Sequence, residues 1–239
     1  MQLLTREQAR ELDLIAIDKN KILGTTLMEN AGKNIASIVQ SKLITVHNPN
    51  IGIVCGKGNN GGDEFAAASI LIDEGFKVSI YCLSSSENLS NDSLYFHDIC
   101  SKKGVAIFYE KELPQLLPNF DLMIDAIIGT GFSGELYKEF VPWTKWLNEC
   151  SATISVDIPS GLNANTGMCS SNAVKADQTI TMDSVKIGMM LEPGKSHCGL
   201  IHCVDIGLPK TYKSKSPMEW HLLSDDQINS MIQNVEKTI

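Results

Sequence analysis

Short apolar runs alternate along this chain with segments of helical periodicity, and this alternation most limits the folds that are open to it. Runs of this length are typical of buried β-strands, and we expect seven strands, at 51–55, 78–83, 105–108, 122–128, 153–156, 178–182 and 200–204. Helices are expected at 5–18, 26–43, 63–74, 91–103, 111–117 and 137–149. Strands that alternate with helices form right-handed crossovers between parallel strands. The sequence therefore predicts an α/β fold with a mostly parallel central sheet and extra N-terminal helices.

Composition and charge exclude several classes of protein. The 239 residues are 43% hydrophobic and 20% charged, which is typical of one compact globular domain. A net charge of −8 disfavours binding to nucleic acid or to an anionic membrane surface. The N-terminus has no apolar leader and no run approaches a membrane span, so we expect a cytoplasmic protein.

Seven cysteines at irregular spacing indicate reduced thiols rather than a disulfide framework. His197-Cys198 and His202-Cys203 place four soft ligands close together, which leaves a zinc site open as an alternative. The second pair lies in a strand-like stretch, where neighbouring side chains point to opposite faces. The pattern therefore favours a structural role for these residues.

The segment Gly56-Lys57-Gly58-Asn59-Asn60-Gly61-Gly62-Asp63 fits G-x-G-x-x-G between a predicted strand and a predicted helix. Glycines there allow the backbone to approach a phosphate at a helix N-terminus. The alternative is a simple glycine-rich turn with Asp63 as the helix N-cap. The segment is not a Walker A loop, and the next strand ends in serines 84–86 rather than in the acid of an ordinary NAD dehydrogenase.

Two further strands end in acidic loops. Asp125 lies in an apolar strand that runs into a second glycine-rich loop, and Asp157 lies at the end of the strand that follows. A buried carboxylate needs a hydrogen-bond partner or a cation, and ligands of parallel sheets bind beyond the carboxyl ends of the strands. Together with the glycine-rich loop at 56–63, these two loops predict one oxygen-rich site, suited to a hard cation or to hydroxyl groups.

The blocks GKGNNGGD (56–63), DAIIGTGFSGEL (125–136) and SVDIPSGLNANTG (155–167) resemble the NAD(P)H-hydrate epimerase family. Further blocks support the resemblance upstream at 28–32 and downstream at 173–182, 185–194 and 204–209, so that it covers residues 1 to about 210. The resemblance implies a Rossmann-like three-layer αβα sandwich and a homodimer. It also implies a substrate, NAD(P)HX, the hydrated form of NADH or NADPH, whose R and S forms are epimerised at C6 of the nicotinamide ring.

The resemblance also implies roles for individual residues. Asp157 is expected to reach the reacting ring, and we hypothesise that it is the general acid/base. Potassium is expected as the cofactor, bound by Asn60, Asp125 and Ser160. The remaining substrate-binding residues are expected in the two glycine-rich loops: Asn59, Asn60, Gly61, Gly62, Asp63, Gly129, Thr130, Gly131, Phe132, Ser133, Gly134 and Glu135.

The chain departs from many relatives at Glu64, where they carry glycine, and at Ser69, where they carry arginine. Residues 1–212 are expected to form the epimerase domain, and 213–239 a linker and helical tail. The tail resembles the start of the ADP- or ATP-dependent dehydratase domain that follows the epimerase in many bacterial members. The chain is thus either part of a bifunctional enzyme, which we favour, or an epimerase with a helical tail.

Two other functions stay open. Relatives with this fold are scaffolds, so the chain is alternatively a non-catalytic nucleotide-binding or dimerisation module. An NADP-dependent oxidoreductase ranks last, and hydride transfer to a carbonyl substrate would distinguish it.

Overall fold

The structure is a computed structural model, and it describes residues 2–109, 112–208, 220–223, 227, 228 and 230. The strands are β1 (Leu3–Leu4), β2 (Asn50–Cys55), β3 (Lys77–Cys82), β4 (Ala106–Tyr109), β5 (Leu122–Ala126), β6 (Thr153–Val156), β7 (Gln178–Met182), β8 (Val185–Lys186) and β9 (Leu200–Val204). The helices are α1 (Arg6–Asp18), α2 (Gly24–Leu43), α3 (Asn59–Asp73), α4 (Asn91–Lys102), α5 (Val141–Glu149) and α6 (Gly194–Cys198).

Seven strands form the central sheet, in the order β4-β3-β2-β5-β6-β7-β9, and every neighbouring pair is parallel. The predicted α/β fold with a parallel sheet is therefore confirmed. Strands β1 and β8, which the sequence analysis did not predict, form a small parallel pair of their own. The strand order reverses between β2 and β5, and the crevice beyond the carboxyl ends at such a switch point is where ligands of this fold class bind.

Alternate residues of each strand face opposite helical layers, as the two-residue period of a strand requires. Ile51 and Ile53 of β2 pack on Phe65 and its neighbours in α3, whereas Val54 packs on Trp143 of α5. Helix α1 packs separately against α2 and the chain after β9. Helices thus cover both faces of the sheet, and the extra N-terminal helices close one side of the crevice.

Several boundaries differ from the predictions. Residues 112–117 of the expected helix at 111–117 are not helical, because Pro114 lacks an N–H and disfavours helical geometry before it; residue 111 lies outside the described residues. Helix α3 starts at Asn59 with Gly58 as its N-cap, so Asp63 lies inside the helix and is not its cap. The capping box of Thr5 and Gln8 is confirmed at the start of α1.

The predicted boundary at residue 212 and most of the 213–239 tail lie outside the described residues, and that division stays a prediction. Of the tail, Trp220 accepts a hydrogen bond from the Leu3 amide at 3.0 Å, and His221 forms a β-bridge with Gln2. Within the described ranges, no helix is both long and apolar enough to cross a membrane.

Candidate active site

A cleft of about 1080 Å³ opens at the carboxyl ends of the central strands, at the switch point between β2 and β5. The loops that follow β2, β5 and β6 meet there, as the sequence predicted, and α1 and β8 supply the facing wall. Of the predicted substrate-binding residues, those that line the cleft are Asn59, Asn60, Asp63, Gly129, Thr130, Gly131 and Asp157.

The other predicted substrate-binding residues lie outside the cleft lining. Gly61 and Gly62 lie beneath it: a Cβ on Gly61 would lie 2.3 Å from the Gly56 carbonyl oxygen, so only glycine fits there. Phe132 is buried, and Ser133 and Gly134 lie on the surface beyond it. The Glu135 carboxylate accepts a hydrogen bond from the Ser170 hydroxyl at 2.6 Å, which gives it a structural partner.

The glycine-rich loop brings the start of α3 to the cleft. Gly58 caps the helix without a side-chain hydrogen bond, which leaves backbone N–H groups of the first turn for a ligand. A Cβ on Gly56 would lie 2.2 Å from the Ile127 carbonyl oxygen, so the first and second loops are in close contact. A helix N-terminus of this kind, beside Lys57, favours an anion such as phosphate.

Asp157 has a strained backbone conformation, and each of its carboxyl oxygens has a partner. Its backbone has φ +67°, a left-handed conformation that a non-glycine residue adopts only where its surroundings impose it. Oδ2 accepts a hydrogen bond from the Thr130 amide at 2.9 Å, and Oδ1 lies 2.7 Å from Nζ of Lys186. The carboxylate, 17% exposed, is therefore fixed by the β5 loop on one side and by β8 on the other.

Lys186 is a site residue that the sequence analysis did not single out. Its side chain is 3% exposed, and Nζ also donates to Thr181 Oγ1 at 2.8 Å and to the Met182 carbonyl at 3.3 Å. These contacts use all three ammonium donors. A lysine between the apolar Val185 and Ile187 was the one sequence signal of this buried cation.

Two more carboxyl groups face the cleft near Asp157. Asp13 of α1 is open to solvent at the mouth, yet the cleft walls desolvate it and raise its pKa to about 6; Asp157 adds to the shift, and Lys186 opposes it. Desolvation raises the pKa of Asp63 well above its usual value, with repulsion from Asp157 and Asp13. Groups with raised pKa values around an ion-paired carboxylate are typical of proton-transfer sites.

Asp125 lies fully buried below the cleft floor. Its Oδ2 accepts hydrogen bonds from the Ser155 hydroxyl at 2.7 Å and the Ser160 amide at 2.8 Å; its Oδ1 accepts from the Ser160 hydroxyl at 2.5 Å and the Ile127 amide at 3.4 Å. Burial raises the pKa of Asp125 despite these bonds. Asp125 therefore ties the β5 and β6 loops together, and the predicted cation ligands Asp125 and Ser160 are in direct contact.

Asn60, the third predicted cation ligand, lies beside the same loops. A Cβ on Gly129 would lie 3.4 Å from Asn60 Cγ and 2.6 Å from Asp157 Oδ2, so Asn60 and Asp157 flank this glycine. The amide oxygen and nitrogen of Asn60 are buried and have no hydrogen-bond partner. A buried amide without a partner in the protein is unusual, and its oxygen is free to accept a ligand.

The two departures from the family pattern are both buried. Glu64 is 0% exposed, and neither of its carboxyl oxygens has a hydrogen-bond partner. Burial, then repulsion from Asp63 and Asp125, raises its pKa well above the usual value. Ser69 lies away from the cleft, and its hydroxyl donates to the Ala66 carbonyl at 2.8 Å.

The described residues contain no group of three or more His, Cys, Asp or Glu side chains that could hold a metal ion. The His197 ring donates from Nδ1 to the Val174 carbonyl, and the His202 ring contacts the Gln178 side chain. These partners are structural, and the zinc alternative is not supported.

Residues 24–188, more than half of the chain, match the family described as YjeF-related protein N-terminus. The chain is 34% identical over 214 residues to an NAD(P)H-hydrate epimerase of Lentilactobacillus buchneri, covering 87% of this chain and 95% of that protein. It is 32% identical over 209 residues to an NAD(P)H-hydrate epimerase of Rhodopirellula baltica, covering 86% of this chain and 84% of that protein.

A bifunctional NAD(P)H-hydrate repair enzyme Nnr of Moorella thermoacetica is 34% identical over 218 residues, but the match spans 41% of that longer protein. The crystal structure of the yeast protein YNL200c superposes with a TM-score of 0.75 over 95% of this chain and 98% of that one; at 19% identity it supports the fold alone. By the family match and these relatives, the chain belongs to the YjeF-related family that includes the NAD(P)H-hydrate epimerases.

Proposed function

We propose that this protein is an NAD(P)H-hydrate epimerase, which interconverts the R and S forms of hydrated NADH and NADPH and so serves in metabolite repair. The observation that carries the proposal is Asp157, held by Thr130 and Lys186 on a strained turn facing the cleft. The names of the relatives supply the substrate.

The reaction needs one side chain that gives a proton to the hydroxyl oxygen on C6 and takes one from the water that returns. C6 of the hydrate carries a hydroxyl next to the ring nitrogen, whose lone pair expels this group as the C6–O bond breaks. Asp157 in its protonated form donates a proton to the departing hydroxyl, which leaves as water. The ring becomes a planar cation, and Asp157 becomes the carboxylate that Lys186 and Thr130 hold. Water then adds to either face of C6 while the Asp157 carboxylate takes its proton back, so atoms and charge balance over the cycle.

Lys186 and Thr130 act on Asp157 rather than on the substrate. Their bonds fix both carboxyl oxygens, which keeps the group in the geometry that proton transfer requires. Because the Lys186 ammonium is buried and already makes three contacts, it supports Asp157 and has no donor left for the substrate.

The dinucleotide is held by the two glycine-rich loops, with its phosphates at the start of α3 beside Lys57. We assign this binding to 59–63 and 129–135; the cleft-lining residues Asn59, Asp63 and Thr130 support the assignment.

Potassium is the proposed cofactor, held by Asn60, Asp125 and Ser160. All three offer oxygen, which suits a hard cation, and the buried Asn60 amide without a hydrogen-bond partner fits such a ligand. When bound, the ion supplies positive charge that orders the loops around the substrate. The proton steps remain with Asp157.

We further propose a cytoplasmic homodimer that works with an ADP- or ATP-dependent dehydratase, which removes one epimer. The bifunctional relatives, in which this region makes up 41% of the Moorella thermoacetica protein, support physical fusion of two repair activities.

The test mixes R and S hydrates of NADH with a dehydratase that consumes only S, and follows loss of the R form with the protein and potassium present. We expect loss well above the spontaneous rate, and its abolition in Asp157→Asn. Asp121→Asn is the matched control, because this acid caps the Asn50 amide at the opposite end of the sheet.

Turnover near wild type in Asp157→Asn would refute the role of this residue. A folded, potassium-replete protein that binds the nucleotide without accelerating R loss would instead support the scaffold alternative.

A further inference from the structure

We propose that Glu64 is a further ligand of the cation site, which gives the site of this chain a second carboxylate. The inference rests on the proposed function in one respect: it takes the oxygen site of Asn60, Asp125 and Ser160 as a cation site. Glu64 itself has no part in the proton chemistry described above.

Asp125 alone offers a cation little free coordination. A carboxylate has about four acceptor positions, and the groups around Asp125 donate four hydrogen bonds to it at 2.5–3.4 Å. The single hydroxyl proton of Ser160 is directed at Asp125 in the shortest of these. The charge of Asp125 is therefore present at the site, but its oxygens have little acceptor capacity left for an ion.

The free oxygens lie on α3. Asn60 Oδ1 and both carboxyl oxygens of Glu64 are buried, and none accepts a hydrogen bond. Residues four apart on a helix are neighbours on one face, and side chains lean towards the helix N-terminus. Glu64 therefore shares one face of α3 with Asn60, in the first turns of the helix, next to the site.

The charges around Glu64 also support its role as a cation ligand. Glu64 is 0% exposed, and the charged groups that act on it are the acids Asp63 and Asp125. A buried carboxyl group with no hydrogen-bond partner and acidic neighbours is costly in either protonation state. A cation among Asn60, Asp125 and Glu64 relieves both the missing contacts and the repulsion.

Binding of potassium is measured on the full chain by thermal unfolding and by calorimetric titration, with choline chloride keeping the ionic strength constant. The variants are Glu64→Gln, which keeps the shape, and Glu64→Met, which keeps the volume should the amide variant fold poorly. Glu74→Gln, an exposed acid just after the same helix, is the matched control.

Potassium should raise the melting temperature of the wild type and of Glu74→Gln. Without potassium the Glu64 variants should be at least as stable as the wild type, because a buried carboxyl group with no partner and acidic neighbours is removed. With potassium they should need at least tenfold more ion for half-saturation. This reversal of the stability order would not arise from a purely structural role.

Equal half-saturation in wild type and the Glu64 variants would overturn the inference, and so would a wild type that potassium does not stabilise. The R-loss assay on the wild type separates the two proposals: turnover with no potassium response refutes the cation site and Glu64 but leaves the epimerase function standing.

Discussion

Removal of the Lys186 ammonium, in Lys186→Met, should destabilise the fold by leaving the Asp157 carboxylate without its cation. Breaking one partner of a buried ion pair costs about 3–5 kcal/mol. Asp157 is still 17% exposed, so water relieves part of the cost and the lower end applies, about 3 kcal/mol. At 2–4 °C per kcal/mol for a chain of this size, the melting temperature should fall by roughly 6–12 °C.

The assay is a double-mutant cycle by urea unfolding, with Lys186→Met, Asp157→Asn and the double variant. The double variant should recover most of the loss, because no uncompensated charge remains, while R-epimer turnover stays abolished. Lys33→Met, which removes an exposed pair with Glu29, is the control and should change stability by no more than about 0.5 kcal/mol. Additive losses in the double variant would refute the ion-pair reasoning.

Three further changes test other parts of the structure. Gly129→Ala places a Cβ 2.6 Å from Asp157 Oδ2 and should cut turnover by about tenfold or more, while lowering the melting temperature less than Lys186→Met does; turnover within about twofold would contradict this. Asp13 has a pKa raised to about 6, so the folded protein binds this proton more tightly and stability falls as pH rises from about 4 to 6. Asp13→Asn should flatten that fall in a pH series of melting curves, and an unchanged slope would count against it. Thr5→Ala removes the capping box and should cost about 1 kcal/mol in urea unfolding.

The central sheet was predictable because its strands are buried on both faces and so appear as short apolar runs between breakers. Helical periodicity was a poorer guide where local chemistry opposed it. Leu113, Leu116 and Leu117 have helical spacing, but Pro114 prevents the helix. The early start of α3 was missed because Gly61 and Gly62 disfavour helix; the close approach of the Gly56 carbonyl, which only glycine permits, explains their presence.

The site residues that lie at the ends of strands were predictable from the sequence. Asp125 and Asp157 follow from strand position, because the carboxyl ends of parallel strands meet at one edge. Lys186 lies on β8 and Asp13 on α1. The α1 helix itself was predicted, but its position beside the cleft, like the short strand β8, depends on long-range packing that leaves no local pattern in the sequence. The unpartnered state of Glu64 likewise depends on which groups surround α3, and that is a property of the packed structure alone.

The charges around the cleft bear on which reaction it can accelerate. The Lys186 ammonium contacts Asp157, Thr181 and the Met182 carbonyl and so offsets the charge of Asp157, while the cleft wall also carries the carboxyl groups of Asp13 and Asp63. In the proposed reaction, the carboxylate that Asp157 becomes on giving up its proton attracts the planar ring cation, whereas the neutral hydrated ring lacks this attraction. An interaction that is stronger in the transition state than in the bound substrate lowers the barrier, while one that is equal in both does not. In the proposed reaction the buried lysine thus holds Asp157 in place, where the charge that Asp157 gains faces the ring cation.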